Sequence, residues 1–318
     1  MNRSACNPQR IVSAALLAAL AACTTFNDQP TGTIEMKYAA PGPQTVATMT
    51  TAVACDHKGD LCDVYYPASL GGSLHPIITW GNGTFGTPAN VDYLLRHLAS
   101  WGFVVIATRD GFTGDGTTIL EAAKFLITAN GDSHSPFFGA LDTLHVGAIG
   151  HSQGAGGVLR AMIASGGTIM TAIPIELPAQ WFCFCGNGVL DTASITTGSV
   201  FFVDGSNDIP VSPPIQLEPA SQIGEESLAA FYAAVPAGVP KLTATLIGPA
   251  HNDITGQPGC NTAAAQPCIV GVYGYLGYPT AWMADRLGLD PSARAAFTAG
   301  TGEIFFQTSH WSFVQSNI

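Results

Sequence analysis

The segment Gly150-His151-Ser152-Gln153-Gly154 constrains the fold of this chain more than any other feature. It joins a short apolar run, His145–Gly150, to an apolar stretch of helical length, Gly154–Ala164. A strand that turns directly into a helix brings the two elements close together, and glycine at the ends of the turn allows that approach. The turn forces the serine into a strained conformation and pushes its side chain out at the carboxyl end of the strand. The segment therefore predicts a helix-covered sheet with an exposed serine at its edge.

Apolar runs of strand length alternate with stretches of helical length from residue 43 onward. The predicted strands are Thr45–Val53, Asp63–Tyr66, Pro76–Trp80, Phe103–Thr108, His145–Gly150, Thr171–Ile175, Ser199–Asp204 and Lys241–Ile247. The predicted helices are Val91–Ser100, Thr117–Thr128, Gly154–Ala164, Glu226–Val235, Pro279–Leu287 and Pro291–Ala299. Continuous apolar strands are typical of a sheet covered on both faces, and the two more mixed strands at the start indicate an antiparallel edge. We therefore predict one α/β domain, residues 43–318, with a mostly parallel central sheet flanked by helices on both faces.

The N-terminal segment 1–22 is predicted to be an export signal. Two arginines precede an apolar run, Ile11–Ala22, which at twelve residues is too short to span a bilayer permanently. The run ends in Leu20-Ala21-Ala22-Cys23, which resembles the bacterial lipobox. The resemblance implies cleavage before Cys23 and acylation of that cysteine, although an ordinary signal peptide with an incidental Cys23 is the alternative. Residues 23–42 would then tether the domain to a membrane, and we expect a protein exported to the outer membrane or secreted.

The formal net charge is −11 and becomes −13 without residues 1–22, because that segment carries two arginines and no acidic residue. No cluster of lysine or arginine occurs along the chain, so nucleic acid and anionic membrane surfaces are excluded as expected partners. We expect a monomer whose acidity serves solubility.

Six cysteines remain after the export signal and Cys23, and an even number in an exported chain indicates disulfides. The first-choice pairs are Cys55 with Cys62 and Cys260 with Cys268, because each pair brackets a short polar loop.

Cys183 and Cys185 are a further candidate pair, but a bridge that short is strained, so their pairing stays open. A zinc site would require histidines at ligand spacing beside them, and the sequence has none there. We expect no metal and no cofactor, since there is no HExxH motif and no nucleotide-binding glycine loop.

Two further residues are placed to activate Ser152. A serine hydroxyl becomes a good nucleophile only when a base takes its proton. In sheets with this strand–serine–helix turn, an acid follows a later strand and a histidine follows the next one. Asp208 comes just after the strand Ser199–Asp204, and His251 comes just after Lys241–Ile247. We therefore predict Ser152 as nucleophile, His251 as base and Asp208 as the acid that orients the histidine.

Other acids and histidines are weaker candidates. Asp204 falls within a predicted strand, and Asp191 lies beside the cysteine-rich loop. His134 and His310 are alternative bases, whereas His151 adjoins the nucleophile and is expected to line the cleft. A turn-capping aspartate and a surface histidine are the structural alternatives for the predicted acid and base.

The segment Asn130–Gly139, followed by the serine turn, resembles the bacterial cutinase and polyester-hydrolase family, which includes poly(ethylene terephthalate) hydrolases. Trp101–Ile106 is similar to a core strand of that family, and Thr280–Met283 is similar to its last helix. The resemblance implies the α/β-hydrolase fold and an extracellular esterase that cleaves cutin-like or polyester substrates through an acyl-enzyme on Ser152. The alternatives are a small-ester carboxylesterase or lipase without polymer activity, and a non-catalytic binding lipoprotein.

The same resemblance implies an oxyanion hole formed by the backbone N–H groups of Thr84 and Gln153. The family usually carries an aromatic residue at the first position and methionine at the second, so this chain departs from it at both. Phe85 is the candidate replacement for the aromatic contact with substrate. Trp181 resembles the tryptophan of the family's cleft wall, with packing against the cysteine loop as the alternative.

Overall fold

A single sheet organises the molecule. The computed structural model describes residues 29–180, 182, 189–209, 211–215, 226–257, 260 and 268–318. Within these ranges the strands are Val46–Thr50 (β1), Cys62–Pro67 (β2), His75–Gly81 (β3), Val104–Thr108 (β4), Leu141–His151 (β5), Ile169–Ile175 (β6), Ser199–Gly205 (β7), Lys241–Leu246 (β8) and Trp311–Ser316 (β9). They form one sheet in the order β1-β2-β4-β3-β5-β6-β7-β8-β9.

The direction of the strands follows the hydrophobic pattern. Strands β3 to β8 run parallel, while β1 and β2 form an antiparallel edge and β9 pairs antiparallel with β8. Every residue of β3 and β7 is buried, as expected for strands covered on both faces. The predicted mostly parallel sheet with an antiparallel first pair is confirmed.

Helices cover both faces. They are Thr33–Ala39 (α1), Asp92–Ser100 (α2), Thr117–Gly131 (α3), Gln153–Ala164 (α4), Leu228–Ala234 (α5) and Gly277–Arg286 (α6). The region predicted as a helix over Pro291–Ala299 is a 3-10 helix, Pro291–Ala296. Successive residues of β3 face opposite cores: Ile77 packs with the side of α3, α4 and α5, and Ile78 packs with the side of α1, α2 and α6. This alternation follows from the two-residue period of a strand.

The prediction that residues 23–42 form a tether is wrong for α1, which docks onto the domain. Tyr38 is 1% exposed, and its hydroxyl donates to Asp290 Oδ2 at 2.7 Å. Glu35 is equally buried and accepts a hydrogen bond from Trp311 Nε1 at 2.6 Å. Both partners lie more than 250 residues away in the chain, so a polar N-terminal stretch docks onto the domain through contacts that no local pattern indicates.

Both first-choice disulfides are present, Cys55–Cys62 and Cys260–Cys268. Cys183, Cys185 and the proposed lipidation site Cys23 lie outside the described residues. Among the helices that the structure describes, none has the length and apolar character needed to cross a bilayer.

Candidate active site

Ser152 sits at the sharp turn between β5 and α4. Its backbone has φ 56° and ψ −124°, a conformation that residues with a side chain rarely adopt. A Cβ atom on Gly150 would lie 2.4 Å from the carbonyl oxygen of Gly154, and one on Gly154 would lie 2.2 Å from that of Gly81. The two glycines therefore permit the contact of strand and helix that holds the serine in this conformation.

The structure brings the three predicted catalytic side chains together. His251 Nε2 lies 2.8 Å from Ser152 Oγ, and His251 Nδ1 lies 2.6 Å from Asp208 Oδ2. The serine follows β5, the aspartate follows β7 and the histidine follows β8, so parallel strands deliver all three to one edge. With Nδ1–H donating to the aspartate, Nε2 is free to accept the serine proton.

Burial sets the charge state of this chain of groups. It lowers the pKa of His251 to about 4, so the ring is unprotonated at neutral pH and competent as a base. Burial also raises the pKa of Asp208, while hydrogen bonds from the backbone of Ser212 and Val211 favour its carboxylate. Because Asp208 and His251 share a short hydrogen bond, they titrate as a pair.

The rival acids and bases have other roles. Asp204 lies within β7 and is fully buried, and Asp191 caps a short 3-10 helix. The side chain of His134 is 93% exposed, and His310 faces Glu35 of α1. None of these four side chains hydrogen-bonds with a member of the candidate triad.

The loop after β3 is built to present backbone amides. The amide of Phe85 donates to the carbonyl oxygen of Gly111 at 2.9 Å, so it is already engaged, which favours Thr84 as the oxyanion donor. Gln153 is the first residue of α4, where backbone amides have no partner within the helix. Both predicted donors line or adjoin the cleft beside Ser152.

Asn82 anchors this loop, a role that the sequence analysis missed. Its side-chain amide donates to the carbonyl oxygens of Thr108 at 2.6 Å and Asp110 at 2.9 Å. The backbone carbonyl oxygen of Asn82 accepts a hydrogen bond from Thr113 Oγ1 at 2.8 Å. The available signal was an asparagine between two glycines, just past the end of a mostly apolar strand.

The cleft above Ser152 has a volume of about 480 Å³. Its apolar lining includes Trp80, Phe85, Val91, Phe182 and Val211. Phe85 is 79% exposed and meets the exposed ring of Phe112 edge to face, with 4.9 Å between ring centres. Trp181 lies outside the described residues. A larger groove of about 680 Å³ lies between the Cys55–Cys62 loop and α3 and contains no member of the triad.

His151 lines the cleft as predicted, but its ring also points into a buried network. Its Nε2 lies 2.9 Å from Glu176 Oε2 and 2.7 Å from the carbonyl oxygen of His251. The hydroxyl of Tyr275 donates to the other carboxyl oxygen of Glu176. Burial lowers the pKa of His151 and raises that of Glu176, so it favours the neutral form of each group.

Asp253 ties the loop of the base to the segment that follows Cys268. Its carboxylate accepts a hydrogen bond from the amide of Ala250 at 2.7 Å. It also accepts hydrogen bonds from three consecutive amides, those of Ile269, Val270 and Gly271, the last at 2.6 Å. Ala250 directly precedes His251. The carboxylate therefore fixes the backbone that carries the base.

Two groups of side chains in the described part of the chain have ligand atoms close enough to hold a metal ion. One is His151, Glu176 and His251, and the other is Asp253 with Cys260 and Cys268. In the first, His251 already hydrogen-bonds with both triad partners, and in the second the two cysteines form a disulfide. The donors in both groups are thus committed to other bonds.

Comparisons with known proteins agree with this architecture. A family model described as PET hydrolase-like matches residues 20–183, which include Ser152. The chain is 29% identical over 172 residues to the bis(hydroxyethyl) terephthalate hydrolase of Streptomyces coelicolor (strain ATCC BAA-471 / A3(2) / M145), with 51% of this chain and 53% of that protein covered. The chain thus spans about half the length of this curated relative. With more than half of its residues in the family match and a mostly parallel sheet flanked by helices, the chain belongs to the PET hydrolase-like family of α/β-hydrolases.

Proposed function

We propose that the protein is a serine hydrolase that cleaves carboxylic esters through an acyl-enzyme on Ser152. The observation that carries this proposal is the hydrogen-bonded chain from Asp208 through His251 to Ser152, with distances of 2.6 Å and 2.8 Å. Such a chain has a direct chemical use, because it lets a neutral imidazole take the serine proton as the oxygen attacks a carbonyl carbon.

The reaction would run in two halves. Ser152 Oγ attacks the ester carbonyl, His251 takes the proton, and the amides of Thr84 and Gln153 stabilise the negative oxygen. His251 then returns the proton to the leaving alcohol, which departs and leaves the acyl group on Ser152. Water, deprotonated by His251, releases the acid and restores the serine. Asp208 holds the ring in the productive tautomer throughout.

Aromatic diesters and polyesters are the substrate class we propose first. The curated relative carries the name of a terephthalate diester hydrolase. The cleft beside Ser152 is mostly apolar at its walls, and one of them is the exposed ring of Phe85, which packs against the exposed ring of Phe112. Aromatic rings at such a position favour a flat, aromatic acyl group through edge and face contacts.

A carboxylesterase limited to small esters is the second candidate. Thr84 favours it, because a polar residue occupies the position where the family usually presents an aromatic ring to a polymer. A panel of p-nitrophenyl esters, bis(hydroxyethyl) terephthalate, an aliphatic polyester film and a terephthalate polyester film separates the two. Intact films with rapid turnover of both soluble substrates would select the small-ester enzyme.

Kinetics of Ser152→Ala test the hydrolase proposal itself. We expect p-nitrophenyl butyrate turnover to fall by several orders of magnitude, as when other triads lose a member. Ser133→Ala, in the exposed turn after α3, is the matched control and should keep full activity. Equal activity of Ser152→Ala and the wild type would instead support a binding lipoprotein with adventitious turnover.

We also propose that the protein is exported, anchored through an acylated Cys23, and monomeric. The Leu20–Cys23 sequence supports the anchor. Mass spectrometry of protein extracted from the native membrane should find diacylglycerol on Cys23, and Cys23→Ser should abolish it. An unmodified mature N-terminus at another residue would contradict the anchor, and size-exclusion chromatography with light scattering tests the monomer.

A further inference from the structure

Glu176 is a fully buried carboxyl group directly behind the triad. It follows the last residue of β6 and has a φ of 53°, in the left-handed region that non-glycine residues rarely adopt. Its amide donates to the carbonyl oxygen of Val203 in β7 at 2.7 Å, which holds the residue at the carboxyl edge of the sheet. None of the steps of the proposed reaction uses this group.

Glu176 reaches the base through His151. The Nε2 atom of His151 carries at most one hydrogen and lies between two acceptors, Glu176 Oε2 at 2.9 Å and the carbonyl oxygen of His251 at 2.7 Å. The rings of His151 and His251 are 4.8 Å apart. The His151 ring thus links the buried carboxyl group to the backbone of the catalytic histidine.

The same carboxyl group also lies close to the imidazole itself. Glu176 Oε2 is 3.8 Å from His251 Nδ1, the nitrogen that faces Asp208 at 2.6 Å. The two acids occupy equivalent places, since Glu176 follows β6 and Asp208 follows β7 one strand further along the sheet. Both carboxyl groups therefore converge on one nitrogen from neighbouring strand ends.

We propose that Glu176 is a positioning residue for His251: it holds the base through His151 and, when ionised, can orient the imidazole in place of Asp208. The inference rests on the proposed hydrolase function, because it concerns the base of that reaction.

The charges around Glu176 decide when it can act. Burial raises its pKa most, the negative charges of Asp208, Asp253 and Asp204 raise it further, and the hydrogen bond from Tyr275 opposes them. The other titratable groups that face it are the histidines His151 and His251. Replacing Asp208 by asparagine removes one negative neighbour but not the burial. The pKa of Glu176 should therefore stay above the ordinary glutamate value, and its carboxylate should become more populated as the pH rises.

Four variants test the proposal with p-nitrophenyl butyrate between pH 5 and pH 10: Asp208→Asn, Glu176→Gln, the double variant, and Glu35→Gln. Glu35 is the matched control, because it is 1% exposed and bonded to Trp311 in a different part of the fold. We expect kcat of Asp208→Asn to fall most at low and neutral pH, by as much as the ~10⁴-fold typical of a triad that has lost its acid. The activity of Asp208→Asn should recover as the pH rises, so the acid limb of its pH profile should lie at higher pH than that of the wild type.

The double variant should lose that recovery and fall at least about tenfold below Asp208→Asn above pH 8. Glu176→Gln alone should lower kcat several-fold with KM unchanged, while Glu35→Gln keeps the wild-type kcat. The pH profile of Asp208→Asn tests the proposal without any change to Glu176, so a folding defect in the other variants does not obscure it.

The proposal is overturned if Asp208→Asn and the double variant have the same profile within twofold across the pH range. It is also overturned if the profile of Asp208→Asn shows no recovery at high pH. Ser152→Ala, assayed alongside, separates this failure from that of the hydrolase function: an inactive Ser152→Ala with unresponsive Glu176 variants rejects only the role of Glu176.

Discussion

Removing the carboxylate of Asp253 should loosen the loop that carries the base. In Asp253→Ala, the amides of Ala250, Ile269, Val270 and Gly271 lose their common acceptor. A buried donor left without a partner costs about 1–3 kcal/mol. Two of the four amides, those of Ala250 and Gly271, are buried, and at the middle of that range they give a loss of about 4 kcal/mol.

A loss of that size should lower the melting temperature measurably. For a domain of this length, each kcal/mol shifts the melting temperature by about 2–4 °C, so Asp253→Ala should melt roughly 8–16 °C below the wild type. Because Ala250 adjoins His251, kcat should fall at temperatures where the variant is still folded. Asp253→Asn keeps one acceptor oxygen and should lie between the two proteins.

Differential scanning calorimetry and steady-state kinetics at 20 °C measure both effects. Asp132→Ala is the matched control, since Asp132 is an exposed aspartate in the turn after α3. A melting temperature of Asp253→Ala within 2 °C of the wild type, together with an unchanged kcat, would refute the reasoning that this carboxylate secures the loop of the base.

Two further predictions follow from the site. Burial lowers the pKa of His251 to about 4, and only the unprotonated ring can act as a base. Esterase activity should therefore persist as the pH falls from 7 and be lost well below the ordinary histidine pKa of about 6.5. An acid limb above pH 7 in the wild type would contradict this. Thr84→Tyr should lower KM for bis(hydroxyethyl) terephthalate by roughly twofold to twelvefold, since a stacked ring contributes about 0.5–1.5 kcal/mol, with little change for p-nitrophenyl butyrate. A similar change for both substrates would show that residue 84 does not contact the aromatic acyl group.

The triad could be predicted from the sequence because the topology of the sheet determines where its members lie. Parallel strands end at a common edge, so Ser152, Asp208 and His251 could be placed together without knowing any distance between them. The two disulfides could be predicted for a different reason, since each closes a short loop. Glu176, the residue behind the triad, could not be predicted. Glu176 follows an apolar strand as any loop residue would, and its partner Tyr275 lies 99 residues away.

The ends of the domain were also beyond the reach of local patterns. Helix α1 has only seven residues of mixed composition, and its position depends on the buried contacts of Tyr38 and Glu35 with the far end of the chain. Strand β9 was missed because Trp311–Ser316 is a short edge strand that does not alternate apolar-in and polar-out: its exposed residues are Phe313 and Gln315. Such elements are defined by the surface against which they pack, which only the assembled fold supplies.

Covalent labelling of Ser152 tests the central claim most directly. The wild-type protein is treated with a fluorophosphonate, and the fraction labelled is followed by intact mass while p-nitrophenyl butyrate hydrolysis is measured on the same samples. The account predicts a single adduct, located on the peptide that contains Ser152, and a loss of esterase activity in proportion to its formation. An adduct on another residue, or full esterase activity in fully labelled protein, would contradict the account.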